Sequence, residues 1–149
     1  MNEKDTSFFQ NAIDNAKSIA DASSLVNDTS LPFADMSFSN YMNEFLASHP
    51  DLTVAKIVAD SGLTRQYGYD VINGKKNGSR DKIIALCFSC GMSQSETDRA
   101  LLYAKHSKLY PRDKKDLCII FALNNKNKYP NVTALNVFLE ENKQSPLDV

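Results

Sequence analysis

The chain has 149 residues, 42% of them hydrophobic and 23% charged. That is one domain of ordinary globular usage, with enough apolar material to exclude extensive disorder. The formal net charge of −1 hides an uneven distribution. Residues 1–52 hold two Lys against eight Asp/Glu, net −6; residues 53–115 hold twelve Lys/Arg against six Asp/Glu, net +6. The basic middle suits an anionic partner. Five Gly and five Pro are too few for a turn-dense sandwich or barrel, and neither a membrane-length apolar run nor a secretory leader is visible.

The apolar residues recur at helical spacing along the whole chain. Phe8, Phe9, Ala12, Ile13, Ala16, Ile19 and Ala20 predict a first amphipathic helix near 6–21. The Ser-, Asp- and Asn-rich stretch from Asp21 to Asp35, with Pro32, reads as a loop. Phe38, Tyr41, Met42, Phe45 and Leu46 mark a second helix that ends before His49-Pro50. Thr53 is placed to cap a short helix carrying Ile57 and Val58, which Gly62 can end in the left-handed conformation. A further helix is expected from about Thr64 to Asn73.

Ser79 then opens a helix with Ile83, Ile84, Leu86, Cys87 and Cys90 inward, stopped by Gly91. Ser93 and Glu96 form a capping box for a helix that buries Ala100, Leu101 and Ala104. Pro111 fits the first turn of another helix, with Asp113 near its positive end and Leu117, Ile120 and Phe121 as its stripe. Asn131 caps a last helix with Val132, Leu135, Phe138 and Leu139 inward. No segment alternates with the period of a strand.

Two short helices within 53–73, joined by a turn holding Gly62, have the spacing of a helix-turn-helix. Ile57, Leu63, Val71 and Ile72 fall where that unit needs apolar contacts. The second helix shows Thr64, Arg65, Gln66, Tyr69, Asp70 and Asn73 on its other face. Arg pairs bidentately with guanine, and Gln or Asn with adenine, so Thr64, Arg65, Gln66, Tyr69 and Asn73 are candidate base readers. Lys75, Lys76, Arg80 and Lys82 are candidate phosphate contacts that would set the docking angle. The competing readings are a solvated helix face and an ordinary charged loop.

The run from Ser61 to Lys76, SGLTRQYGYDVINGKK, followed by Ser79 to Leu86 and Cys90-Gly91-Met92-Ser93, resembles the phage-repressor-like (XRE-type) helix-turn-helix family. The likeness covers about residues 38–105 and five helices. It implies a bacterial or phage cytoplasmic regulator that binds double-stranded DNA, usually as a homodimer. Leu109 to Asp116, LYPRDKKD, resembles a subgroup in which two more helices follow. The chain departs from the family pattern at Val58, where a small Ala is usual, and at Gly68, where an apolar side chain is usual. Gly inside a helix costs roughly 1 kcal/mol relative to Ala. Asp70 on a face meant for phosphates is unfavourable unless it accepts from cytosine.

Cys87-x-x-Cys90 lies late in a helix on its apolar side, where core thiols are expected rather than a redox pair. A zinc site would need four ligands, and only Cys118 and His106 are near in sequence. No nucleophile elbow, phosphate-binding Gly-rich loop or HExxH motif occurs. An enzyme is therefore not expected, and neither is a metal or cofactor. Three Cys, an odd number, fit a reducing cytoplasm. His49 and His106 read as surface residues, the latter within a helix.

The resulting expectation is an all-α chain. Residues 1–37 form an N-terminal helical arm and linker, 38–109 a repressor-like five-helix domain, and 110–149 a two-helix extension on the same core. The acidic arm suits dimerisation or competition with DNA for the basic middle. The expected function is DNA-binding transcriptional regulation, with the helix at about 64–73 in the major groove. The alternative is an adaptor that reuses the same bundle to meet a protein partner.

Overall fold

The computed structural model describes residues 3–28, 30 and 37–149. The described residues are all helix and turn, with no strand. They fall into two compact units, residues Met1–Asp35 and Met36–Val149.

The first unit holds α1 (Glu3–Asn15) and α2 (Ile19–Val26). The single helix expected over 6–21 is thus two. Ser18 takes an extended backbone and its hydroxyl accepts from Asp21 N, while Asp21 accepts from Lys17 N. This reciprocal cap starts a new helix inside the apolar periodicity. It also carries helix to Val26, through the first part of the expected loop. Pro32 lies outside the described residues. Ile19 and Val26 are largely exposed, and α2 buries none of its residues.

The second unit holds α3 (Phe38–Ala47), α4 (Val54–Ser61), α5 (Arg65–Ile72), α6 (Arg80–Ser89), α7 (Gln94–Tyr103), α8 (Lys114–Leu123) and α9 (Val132–Glu141). Local chemistry sets most boundaries. Ser37, Thr53 and Asn131 each accept a backbone N–H of the first turn of their helix, and Ser93 with Glu96 closes the expected capping box. Gly62 and Gly91 have φ of 81° and 72°, values that L side chains adopt only at a cost.

The α8 start differs from expectation. Asp113 is the N-cap, accepting from Asp116 N at 2.9 Å, so Pro111 stands two residues ahead of the cap rather than in the first turn. An Asp that caps must be extended and cannot itself be helical. His106 is also outside its expected helix. Its N–H and that of Lys105 close the end of α7 on Leu101 and Leu102 carbonyls, with Lys105 at φ 68°.

α6 is the centre of the unit. Ile83 to Phe88 are all buried, and α4, α7 and α9 pack around it. α3 lies on α5 and α7, while α9 bridges α8 to α4 and α6. Met42, Ile57, Ile72, Ile84, Leu86, Leu101, Ile119, Leu135 and Leu139 are all but fully buried, each stabilising by roughly 1.5–3 kcal/mol. One core therefore includes the last two helices. The residues after α9 join it too. Leu147 is buried, and its N–H donates to Asn136 Oδ1 at 2.8 Å.

Candidate nucleic-acid interface

The α4–α5 pair is joined by residues 62–64 only. Gly62 reverses the chain, and the buried Ser61 hydroxyl donates to Val58 O at 2.7 Å and accepts from Leu63 N at 3.2 Å. This closes the turn with its buried polar groups satisfied. Leu63, Val71 and Ile72 face inward, as the pattern required.

Gly68 accounts for how close the helices come. A Cβ there would lie 2.5 Å from Val58 Cγ1 and 2.8 Å from Val58 Cγ2. The bulk usually expected on α5 is supplied here from α4. Val58 therefore fills the space that a side chain at position 68 would take.

Asp70 is the main correction to the expected surface. It is only 8% exposed, not on the outer face. Gln66 Nε2 donates to its Oδ1 at 3.0 Å, and the Lys76 ammonium stands 3.7 Å from its Oδ2. Its backbone carbonyl accepts from the N–H groups of Lys75 and Lys76, which folds the following loop against the end of α5. The carboxylate is thereby withdrawn and partly neutralised.

Thr64, Arg65, Gln66, Asn73, Lys75 and Lys76 are exposed, and Tyr69 is half-buried. The Arg65 guanidinium stands 5.5 Å from the Tyr69 ring centroid, a cation–π contact that limits its motion. Lys76 and Lys82 flank the ring of Tyr67 at 5.6 and 5.8 Å. Arg65, Lys75 and Lys76 are thus the exposed cations of α5 and its following loop.

The other two expected phosphate contacts are engaged elsewhere. Arg80 holds Asp116 bidentately at 3.0 and 2.8 Å, and also donates to the carbonyls of Ser107 and Lys108. Its hydrogen bond to Asp116 raises its pKa further. Lys82 reaches the chain after α9, 3.2 Å from Asp148 O and 3.6 Å from its carboxylate. Sequence spacing did not bring in Lys105 and His106. They border the same loop, and His106 Nε2 donates to Gly78 O at 2.8 Å.

Cys87 and Cys90 are buried free thiols. Burial raises the Cys87 pKa well above its usual value and pushes Cys90 up to about 12, with the charge of Glu96 adding to both. Cys90 Sγ lies 3.6 Å from Met42 Sδ, inside the core. No group of three or more His, Cys, Asp or Glu stands together as a metal site among the described residues. No helix among them is long and apolar enough to cross a membrane.

No protein-family model, curated protein or solved structure matches the chain.

Proposed function

We propose that the α4–α5 pair is a helix-turn-helix that binds double-stranded DNA, with α5 in the major groove, and that the protein regulates transcription in the cytoplasm. The observation that carries this reading is the inward placement of Asp70. It leaves Thr64, Arg65, Gln66, Asn73, Lys75 and Lys76 exposed together, with no competing carboxylate from α5 itself. Arg65 and Gln66 stand at the N-terminal end of α5, where a recognition helix meets base edges. Lys75 and Lys76 follow its C-terminal end and neutralise phosphates. The test is duplex binding measured by gel shift at two salt concentrations. Retention that falls steeply with salt supports the reading; retention that is absent at low salt overturns it.

A second reading is favoured by a different surface. Leu117 and Phe121 are 53% and 45% exposed. Phe121, Tyr129 and Phe138 form one aromatic cluster with centroids 5.0–6.2 Å apart. A patch of this kind suits a protein partner or a second copy of the chain. An adaptor working through it would show no salt-dependent DNA retention.

A further inference from the structure

Beside the α5 surface the fold leaves a cavity of about 380 Å³, between the start of α3, the loop after α5 and the end of α7. That volume is within the usual span for small-molecule sites, roughly 300–1,000 Å³. Its apolar wall is made by Phe38, Val71, Ile83 and Tyr103. Lys76, Lys105 and His106 stand on its lining, and no Asp or Glu does so among the described residues. An apolar wall with two lysines on its lining is complementary to an amphipathic anion, and the Lys76 ammonium is shared with Asp70, 3.7 Å away.

Two details define this side of the cavity. Lys105 sits at φ 68°, a conformation that Gly would take more cheaply, held by its N–H to Leu102 O at 3.0 Å. This left-handed residue closes α7 and puts Lys105 on the cavity lining. His106 is fixed by its Nε2 donation to Gly78 O and shapes the lining.

We propose that this cavity binds a small hydrophobic carboxylate, its apolar body against Phe38, Val71 and Ile83 and its carboxylate between Lys76 and Lys105. Lys76 belongs both to this lining and to the duplex-facing set. Occupancy takes its ammonium from the phosphates and weakens DNA binding. This second half rests on the proposed function; occupancy of the cavity does not.

The test uses the full chain, with naphthoate as probe and naphthylmethanol as its uncharged counterpart. Amide resonances are followed by nuclear magnetic resonance during titration. Saturable shifts at the cavity lining are expected for naphthoate, with the alcohol about tenfold weaker. Lys105→Gly keeps the backbone conformation and removes the ammonium. It should weaken naphthoate about tenfold and leave the alcohol unchanged. Equal affinity of the two probes, shifts away from the lining, no binding at millimolar probe, or an unaffected Lys105→Gly variant would each overturn the site. Duplex binding is then measured with and without saturating naphthoate. Weakened binding in the wild type, and less weakening in Lys76→Ala, supports the coupling; unchanged binding overturns it. If no duplex binds at all, the proposed function falls while the titration still decides the cavity.

Discussion

Gly68 on α5 and Val58 on α4 share one volume. A Cβ built on Gly68 meets Val58 Cγ1 at 2.5 Å, closer than packed carbons allow. An exposed helical Gly→Ala change stabilises by roughly 1 kcal/mol. Here the sign reverses, because overpacking costs roughly 1–3 kcal/mol. Gly68→Ala is expected to lower stability in urea unfolding. Val58→Ala alone also destabilises, by opening a cavity. The double variant should be more stable than the sum of the two, by about 1–2 kcal/mol. Simple additivity would show that the two residues do not compete for space.

Which features were legible in the sequence follows from how far their causes reach. Thr53, Asn131 and the Ser93–Glu96 pair act within one turn, so their caps were readable letter by letter. Gly62 and Gly91 were readable because a backbone conformation selects the residue type. Ser18 starts α2 inside a continuous apolar period, and that period by itself does not mark the break. The burial of Asp70 has a different cause. Helical projection put it beside Gln66 and Asn73, while its burial depends on the loop that folds back onto it. Arg80 meets Asp116 across 36 residues, and Lys82 meets Asp148 across 66. No local pattern marks such partners.

Arg80 is expected to matter for stability rather than for DNA. Its guanidinium makes two bonds to Asp116 and two to backbone carbonyls, and Asp116 is 5% exposed. Asp116 Oδ2 also accepts from Tyr110 N at 3.0 Å. Removing one partner of a buried pair costs roughly 3–5 kcal/mol, because the other charge is left alone. Arg80→Ala should therefore lower the unfolding midpoint strongly. Measured where the variant is still folded, the salt slope of duplex binding should match the wild type. A slope reduced by about one would return Arg80 to the phosphate-contacting set.

Stability should fall on the alkaline side. The Cys90 thiol is pushed from 9.0 up to about 12 by burial, and the Tyr41 hydroxyl from 10.0 up to about 12 by burial and then by Glu96. Both groups are held protonated by the fold. Their contribution is complete below the unfolded values and is lost as pH rises through the window up to about 12. The Cys90 share is about 1.4 kcal/mol per pH unit above its unfolded value. Urea unfolding measured from neutral pH to strongly alkaline pH should show this decline. Cys90→Ala should make it less steep, but not flat, between the unfolded thiol and phenol values, because the buried Cys87 thiol adds to the decline in the same window. An equally steep decline in that variant would remove Cys90 as a cause.

Arg65 and Lys76 are expected to fail in different ways. Arg65 stands at the first turn of α5, exposed and steadied by the Tyr69 ring. A guanidinium held there can make two parallel bonds to guanine, which discriminates by about 1–3 kcal/mol against the wrong base. Arg65→Ala should lose about that much for the preferred duplex and little for random DNA, so its specificity ratio falls. Tyr69→Leu, which removes the cation–π partner, should show a smaller loss of the same kind. Lys76 touches no base in this reading; its ammonium lies by Tyr67 and Asp70 and acts as a point charge. Lys76→Ala should weaken every duplex alike and lower the salt slope by about one. It also uncovers the Asp70 carboxylate, so Lys76→Ala with Asp70→Asn should recover part of the loss. Fluorescence anisotropy on selected and random duplexes at several salt concentrations separates the two patterns. Identical behaviour of Arg65→Ala and Lys76→Ala would mean that α5 holds DNA without reading it.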